Sequence, residues 1–305
     1  MTVELRVLQY FLAVAREQSI SGAAESLHLS QPTLSTQLKA LEEELGKRLL
    51  IRGTHGSRRV TLTEEGMILR KRAEEILELV RKAENEVSLS DAAVAGEVHI
   101  GAGETQSLRL LAKAAGSLKA RCPDVHYNIS SGNAAFVTEQ LDRGLIDFGL
   151  IFGSVDSAKY EALTLPGRDV WGVLMRRDDP LAAKESVSPE DLWDKPLIIS
   201  AQKDGSWPVF AWLRRDLSRL NIVATYNLVF NASMLTSEGL GCTLCFDRLV
   251  STDDGSELCF RPFSPRLEAE AAVIWKKYQP LSRPAARFLE ELRAVLERER
   301  TEGGG

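Results

Sequence analysis

The chain has 305 residues, of which 44% are hydrophobic and 27% are charged, with 22 Gly and 11 Pro. This composition is typical of globular proteins and excludes collagen-like, low-complexity and wholly disordered chains, while the length predicts two or three domains. A net charge of −5 excludes a surface covered in nucleic-acid-binding residues. The charge is uneven, because residues 1–60 carry eight Lys or Arg against six Glu, and five of those eight lie within residues 47–59. That basic stretch is where a polyanion could dock.

The cysteine content and the N-terminal sequence both bear on the compartment. Four cysteines are too few for a disulfide-stabilised secreted scaffold, which predicts a reducing environment. The apolar run over residues 8–15 is short and contains Gln9, so it indicates neither a signal peptide nor a membrane span. We therefore expect a cytoplasmic protein without membrane contact.

Two helices are predicted at the start of the chain. Apolar residues recur at helical spacing from Leu5 and predict a first helix that ends near Glu17. Ser21 is the predicted N-cap of a short second helix over residues 22–27, where small side chains allow another helix to approach closely. Residues 28–30 then form a turn.

The third helix has the clearest predicted boundaries. Ser30 is its N-cap, Gly46 ends it, and leucines at 34, 38, 41 and 45 share one face. Side chains on the other face are small or form hydrogen bonds, which is what a helix entering the major groove, about 12 Å wide, requires. A solvated polar face on an ordinary three-helix bundle is the alternative. The predicted DNA contacts of this helix and its cap are Ser30, Gln31, Pro32, Thr33, Ser35, Thr36, Gln37 and Lys39.

A two-stranded ribbon with a basic tip is predicted next, over residues 49–62. Its arginines Arg52, Arg58 and Arg59 are further predicted DNA contacts, and the ribbon would be the wing of a winged helix-turn-helix. An ordinary bundle has no need of arginines beside a polar helix face, so the wing favours DNA binding.

A long charged helix is predicted from residue 63. Its apolar residues alternate spacings of four and three, which suits pairing with a partner helix. The alternative is that this face packs on its own domain. The predicted dimerisation residues are Leu69, Ala73, Ile76, Val80, Ala83 and Val87.

From Gly96 the pattern changes to alternating strands and helices, which predicts an α/β region. Residues 153–157 are the candidate crossover between two lobes. Strands are predicted near residues 97–101, 125–130, 146–152, 170–175, 197–200, 226–230, 242–246, 258–263 and 271–275, and helices near 107–120, 134–143, 209–220, 233–239 and 282–300.

Several segments together resemble the LysR-type transcriptional regulators over nearly the whole chain. In the N-terminal part they are residues 23–35, 41–42, 45–46, 62–63 and Gly66, and downstream they are residues 144–150, 179–182, 238–241 and 280–282. Two positions depart from the family pattern: Thr36 stands where Arg is frequent, and Leu50-Ile51 replaces the more usual aromatic residue before the wing arginine. These departures make the operator sequence harder to predict but leave the predicted class of DNA-binding protein unchanged.

The resemblance implies an α/β protein with an all-α-rich N-terminal winged helix-turn-helix, a linker helix and a two-lobed periplasmic-binding-protein-like (type 2) effector domain. The implied domains are residues 1–62, 63–92 and 93–305, with lobe I at about 96–153 and 267–300 and lobe II at about 160–266. It further implies a promoter-binding homodimer that forms a tetramer, a small-molecule effector, contact with RNA polymerase as a route of output, and neither enzymatic activity nor a cofactor.

The effector is expected at the strand-to-helix loop that follows residue 102. A dinucleotide fingerprint fails there, because Gln106 stands where the third glycine is needed. Free N–H groups at the helix start favour a carboxylate or another anion, so Glu104 must either cap this helix from outside or meet an amine on the ligand. An ordinary polar turn is the alternative. The predicted effector contacts, led by Thr105 and Gln106, are Gly103, Glu104, Thr105, Gln106, Asn133, Phe152, Ser200, Gln202, Asn231, Ser233 and Phe246.

The sequence gives little support for redox, metal-binding or hydrolytic chemistry. Cys242-x-x-Cys245 lies in an apolar strand-like run without a second cysteine pair, so buried packing is favoured over redox or zinc chemistry. The four histidines are scattered without metal-ligand spacing, and no Gly-x-Ser-x-Gly nucleophile elbow is present. The competing class is an α/β solute-binding or enzymatic protein whose N-terminal helical bundle does not bind DNA.

Overall fold

In the computed structural model, residues 3–53, 59–88, 94–201 and 208–302 are described, with backbone only for residues 85–88 and 302. The chain divides into two compact units, Met1–Ser88 and Leu89–Gly305. Among the described residues, no helix combines the length and the apolar character needed to cross a membrane.

The described part of the N-terminal unit consists of helices around a small two-stranded ribbon. In chain order its elements are α1 (Leu5–Glu17), α2 (Ile20–Ser26), α3 (Gln31–Leu45), β1 (Leu50–Arg52), β2 (Val60–Leu62) and α4 (Glu64–Ser88). Strands β1 and β2 pair antiparallel, as a wing requires.

The predicted boundaries of α3 are confirmed, and those of α2 need a correction. The Ser30 hydroxyl accepts a hydrogen bond from the Thr33 N–H at 3.2 Å, and Gly46 ends α3 with φ of +63°. Helix α2 begins earlier than predicted, because Ser19 has extended backbone and its hydroxyl accepts from the Gly22 N–H at 3.2 Å. Ser21 is therefore inside the helix and is not its N-cap.

One apolar core holds the N-terminal unit together. Phe11 of α1 and Leu34 of α3 have no exposed surface, and Leu38 is almost fully buried. Ala23 and Ala24 of α2 are also buried, and their small side chains let the helices approach closely. The inner face of α3 is thus committed to the core.

Part of the apolar seam predicted on α4 packs within the same unit. Leu69 packs against the cluster and Ala73 is fully buried within the unit, whereas Ile76 is 40% exposed and Ala83 is also exposed. Ala73 is therefore covered by its own unit, whereas Leu69 is only partly covered, and pairing through this seam stays a prediction. The side chain of Val87 lies outside the described residues.

The C-terminal unit has the expected alternation of strands and helices. Its elements are β3 (Gly96–Ala102), α5 (Leu108–Arg121), β4 (Val125–Ser131), α6 (Ala134–Asp142), β5 (Phe148–Phe152), β6 (Tyr160–Thr164), β7 (Asp169–Arg176), α7 (Pro189–Leu192), β8 (Leu197–Ser200), α8 (Pro208–Leu213), β9 (Ile222–Tyr226), α9 (Val229–Ser237), β10 (Cys242–Phe246), β11 (Leu258–Pro262), β12 (Glu268–Ala269), β13 (Ala271–Lys276) and α10 (Arg283–Glu302).

Two mixed sheets define two lobes in this unit. The first lobe is built on a sheet of order β4-β3-β5-β13-β6, in which β3 pairs parallel with β4 and β5, and β13 pairs antiparallel with β5 and β6. The second lobe is built on a sheet of order β11-β7-β10-β8-β9, with β12 on β7. In the first lobe the rings of Phe148 and Phe288 lie 5.4 Å apart, so α10 covers this sheet.

The crossover between the lobes lies later in the chain than predicted. Residues 153–157 connect β5 to β6 within the first sheet, and the chain passes to the second sheet through residues 165–168. The second lobe accordingly does not start at 160, and the first lobe resumes with β13 and not at 267. The edge strand Tyr160–Thr164 is short and largely exposed, so it lacks the run of apolar residues from which a strand is predicted.

Two elements of the second lobe also differ from prediction. The strand predicted over 226–230 is replaced by β9 and the start of α9, because the buried residues from Val229 to Thr236 follow helical spacing. The helix predicted over 209–220 ends at Leu213, since the next residue, Arg214, has φ of +52°. A separate 3-10 turn follows at Leu217–Arg219.

Candidate functional sites

The outer face of α3 presents the predicted DNA contacts to solvent. Seven of the eight predicted positions on this helix and its cap are exposed, and only Ser35 is half-buried. Lys39 pairs with Glu43 at 3.4 Å, and the Gln31 side chain accepts from the Ser21 hydroxyl at 3.2 Å. Since the leucines face inward, this polar surface is free of core packing and can approach another molecule.

The first ribbon strand is attached to α3 through a residue that sequence reasoning missed. One carboxylate oxygen of Glu42 accepts from the N–H groups of Leu49 and Leu50, at 2.7 and 3.0 Å. The other oxygen lies 4.0 Å from the Arg52 guanidinium. Glu42 therefore fixes β1 against α3 and keeps Arg52 beside the polar face. Its only signal in the sequence was the Leu41-Glu42 pair of the family resemblance.

The second ribbon strand is attached to the end of α1. The Gln18 carbonyl accepts from the Val60 N–H at 2.8 Å, and its side-chain oxygen accepts from Arg59 Nε at 3.0 Å. Arg59 is thus held at the base of the ribbon. The predicted contact Arg58 and the ribbon tip, residues 54–58, lie outside the described residues.

The start of α4 closes onto the ribbon with very little space. The Thr63 hydroxyl donates to the Arg48 carbonyl at 2.8 Å and accepts from the Gly66 N–H at 2.9 Å. A Cβ on Gly66 would lie 2.2 Å from the Leu49 carbonyl oxygen. Only glycine fits this approach, which gives a physical reason for Gly66.

In the C-terminal unit, the loop before α5 is held by Asp169, another residue that sequence reasoning missed. The carboxylate of Asp169 accepts from the hydroxyls of Thr105 and Ser107, both at 2.7 Å, and from the Gln106 N–H at 3.2 Å. Both Thr105 and Asp169 are buried. No local sequence signal connects Asp169 to a loop more than 60 residues earlier.

This arrangement places a carboxylate of the chain itself at the start of α5. The anion predicted there as an effector group is supplied in this structure by the chain itself, because Asp169 accepts from the donors that a carboxylate ligand would use. Thr105 is accordingly occupied by an intramolecular bond, and Gln106 contributes its N–H to the same carboxylate.

Glu104 reaches from this loop into the second lobe. Its carboxylate accepts a hydrogen bond from the N–H of Val229, the first residue of α9. The Gln106 side-chain amide donates to the Arg248 carbonyl, which also belongs to the second lobe. The predicted capping of α5 by Glu104 is not observed, because the Glu104 carboxylate binds the first N–H of α9 in the other lobe instead.

The structure brings two predicted aromatic contacts together. The rings of Phe152 and Phe246 lie 4.8 Å apart, and Trp171 packs on Phe246 at 3.9 Å. Phe152 packs against the cores of both lobes, so this cluster lies where they meet.

Each of the remaining predicted effector contacts is described by its local environment. Asn133 caps α6 by accepting from the Phe136 N–H at 2.8 Å, and the buried Ser233 hydroxyl donates to the Phe230 carbonyl at 2.7 Å. Gly103 lies half-buried at the end of β3, Ser200 is half-buried, Asn231 is exposed, and Gln202 lies outside the described residues.

The Cys242-x-x-Cys245 pair is a packing feature. A separation of three along β10 points the two thiols to opposite faces, and they belong to different apolar clusters. Burial, with a smaller contribution from the Asp179 carboxylate, raises the pKa of Cys242 to about 11, and burial raises the pKa of Cys245 further. Both thiols are therefore protonated at neutral pH. Across the described residues, no group of three or more His, Cys, Asp or Glu could hold a metal ion.

Comparisons with known proteins agree with this geometry. The family model for bacterial regulatory helix-turn-helix proteins of the lysR family matches residues 5–67, and that for the LysR substrate binding domain matches residues 91–297. HcaR, the Hca operon transcriptional activator of Escherichia coli (strain K12), is 32% identical over 283 residues, covering 90% of this chain and 92% of that protein.

Solved structures show the same fold. Full-length CbnR in complex with its target DNA has a TM-score of 0.73 at 21% identity, over 96% of this chain and 100% of that chain. HinK, a LysR family transcriptional regulator from Pseudomonas aeruginosa, has a TM-score of 0.54 at 25% identity, over 97% and 99% of the two chains.

Fold and sites define a helix-turn-helix transcription regulator that carries a two-lobed ligand-binding domain. The two family models together span most of the chain, and the relatives are named as transcriptional regulators. The chain belongs to the LysR family of bacterial transcriptional regulators. The alternative of a solute-binding or enzymatic protein with an unrelated N-terminal bundle is thereby excluded.

Proposed function

We propose that this regulator binds double-stranded promoter DNA in the cytoplasm, with α3 in the major groove and the ribbon arginines on the phosphates. The observation that carries this proposal is the exposed polar face of α3 beside Arg52, which Glu42 holds in place. Side-chain contacts with base edges give sequence selectivity, and arginine contacts with phosphates give affinity that falls with salt.

Gln37 offers the clearest test of base contact, since its exposed amide can both donate to and accept from a base edge. We expect Gln37→Ala to reduce the preference for the operator over unrelated DNA by about 1–3 kcal/mol, which gel-shift titrations at fixed salt measure. Gln9→Ala, an exposed glutamine on α1, is the matched control and should bind like the unchanged protein. Equal losses on operator and unrelated DNA would show that Gln37 reads no base.

We further propose that the regulator works as a homodimer paired through α4, with two dimers forming a tetramer. A single helix-turn-helix reads only a few base pairs, so two copies on spaced half-sites raise both affinity and specificity. Although Ala73 is covered by its own unit and Leu69 is partly covered, α4 still exposes four large apolar side chains, namely Met67, Ile68, Ile76 and Leu79. Exposed apolar surface of this kind is typical of an interaction face.

Sedimentation velocity tests the pairing through α4. We expect Ile76→Glu to shift the protein toward monomer, because a charge in an apolar seam must lose its hydration without a partner. Lys71→Glu changes an exposed polar position on the same helix and should leave the association state unchanged. An unaltered sedimentation coefficient for Ile76→Glu would remove this residue from the interface.

The proposed effector is a small molecule bound between the two lobes, next to the loop over residues 103–107 and the aromatic cluster of Phe152, Phe246 and Trp171. Support comes from the hydrogen bonds that already join the lobes there. A ligand shifts the lobe arrangement only through its different affinity for the two arrangements. Because Asp169 occupies the α5 N-terminus in this arrangement, the ligand must either displace it or use other groups.

A further inference from the structure

Asp169 is a buried carboxylate at the crossover between the two lobes of the C-terminal unit. It is the first residue of β7 and directly follows residues 165–168, where the chain passes from the first sheet to the second. Its side chain is charged, yet the residue is only 6% exposed. A buried carboxylate needs hydrogen-bond donors around it, and all three donors shown for Asp169 come from the loop before α5.

The same loop carries bonds to the second lobe that do not involve Asp169 directly. Glu104 accepts from the Val229 N–H at the start of α9, and the Gln106 amide donates to the Arg248 carbonyl. The first N–H groups of a helix have no partner within the helix, so the Val229 N–H depends on Glu104 for its hydrogen bond. Residues 104–107 therefore bond both to the crossover and to α9.

We propose that Asp169 is a positioning residue for the cleft. Asp169 holds the loop over residues 104–107 so that Glu104 reaches α9, where its hydrogen bond with the Val229 N–H joins the two lobes. The proposal rests on the proposed function in that the cleft is taken as the effector site. A change at the crossover, such as a change in lobe angle, then alters the bonds to Asp169 and reaches α9 through Glu104. Simple capping of α5 by Asp169 is the competing account, and it predicts only local effects.

Hydrogen exchange in the full-length protein, with neither ligand nor DNA, separates the two accounts. Asp169→Ala removes the acceptor for the loop but touches neither Glu104 nor α9. We expect it to speed exchange at the Val229 amide by roughly tenfold or more, since protection there depends on a charge-assisted bond. Mass spectrometry with residue-level fragmentation locates the change, and amides of α10 report whether the unit as a whole remains folded.

A double-mutant comparison makes the test specific. Glu104→Ala should speed exchange at Val229 directly, and adding Asp169→Ala to it should produce no further increase, because both changes act through one bond. If Asp169→Ala alone alters only residues 105–107 while Val229 stays protected, the proposal is overturned and capping is the whole role of Asp169. An effect of Asp169→Ala on Val229 that persists without Glu104 also overturns it.

A milder variant covers the case in which Asp169→Ala destabilises the unit. Asp169→Asn keeps an oxygen for the Gln106 N–H and has similar volume, so it should raise exchange at Val229 by less than Asp169→Ala does, with α10 unchanged. Protection at Val229 equal to that of the unchanged protein would contradict the proposal that Asp169 positions Glu104. As no effector or DNA is present, failure here leaves the proposed function intact, and a cleft that binds no effector leaves this result intact.

Discussion

Replacing Leu34 by alanine is expected to destabilise the N-terminal unit strongly and to weaken operator binding. Leu34 lies on the inner face of α3 and has no exposed surface. Removing a buried leucine side chain costs about 2–5 kcal/mol, which is a large part of the 5–15 kcal/mol that stabilises a typical domain. Urea unfolding followed by circular dichroism measures the loss of stability, and a gel shift measures the loss of binding.

The matched control is Leu5→Ala in α1, where the leucine is 44% exposed. The same atoms are removed there from a position that contributes less to the core, so a much smaller change in stability is expected. Equal destabilisation by the two substitutions would contradict the assignment of the inner face of α3 to the core. Retained operator binding with Leu34→Ala would mean that this unit tolerates the cavity.

The second large effect is expected for Gly66→Ala at the start of α4. The new Cβ would lie 2.2 Å from the Leu49 carbonyl oxygen, a backbone atom that cannot rotate away. Overpacking of this kind typically costs about 1–3 kcal/mol. The helix and ribbon must separate, so Arg52 also moves relative to α3. We expect lower stability in thermal unfolding together with weaker DNA binding.

Gly22→Ala in α2 is the control for that substitution. Its Cβ would meet Ser19 no closer than 3.6 Å, which is ordinary contact, and alanine favours helix more than glycine. Stability should therefore stay the same or rise. If Gly66→Ala behaved like Gly22→Ala, the close approach of α4 to the ribbon would not exist in solution.

The exposed polar face of α3 was predictable because its signals are local. Ser30 caps α3, Gly46 ends it, and the leucines between them repeat at helical spacing, so each property depends on neighbours a few residues away. The same logic failed for α2, where Ser21 was predicted as the cap and Ser19 is the cap in the structure. The extended backbone at Ser19 and the hydrogen bond of its hydroxyl with the Gly22 N–H mark it as the cap, and neither can be seen in the sequence.

The polar loop before α5 was predicted as a strand-to-helix turn and the structure has that turn, but the sequence did not reveal that Asp169 binds it. Free N–H groups at a helix start predict an anion, and the sequence does not tell whether a ligand or the chain supplies it. Here Asp169 supplies it, from a position 64 residues beyond Thr105. Likewise Gln18 and Arg59 meet although 41 residues separate them.

The amino-acid sequence by itself therefore determined the order of elements in the N-terminal unit and the inward and outward faces of α3, which follow from short-range spacing, capping and turn chemistry. Membership in a class of regulators was implied by the resemblance of its motifs to the LysR family. Tertiary structure alone decided where the chain crosses between lobes, that Ala73 of α4 is buried in its own unit, and that Asp169 and Glu104 link the loop before α5 to the second lobe. The physical reason is that a buried or paired group depends on whichever residue the fold places against it, and such partners lie tens to more than a hundred residues apart.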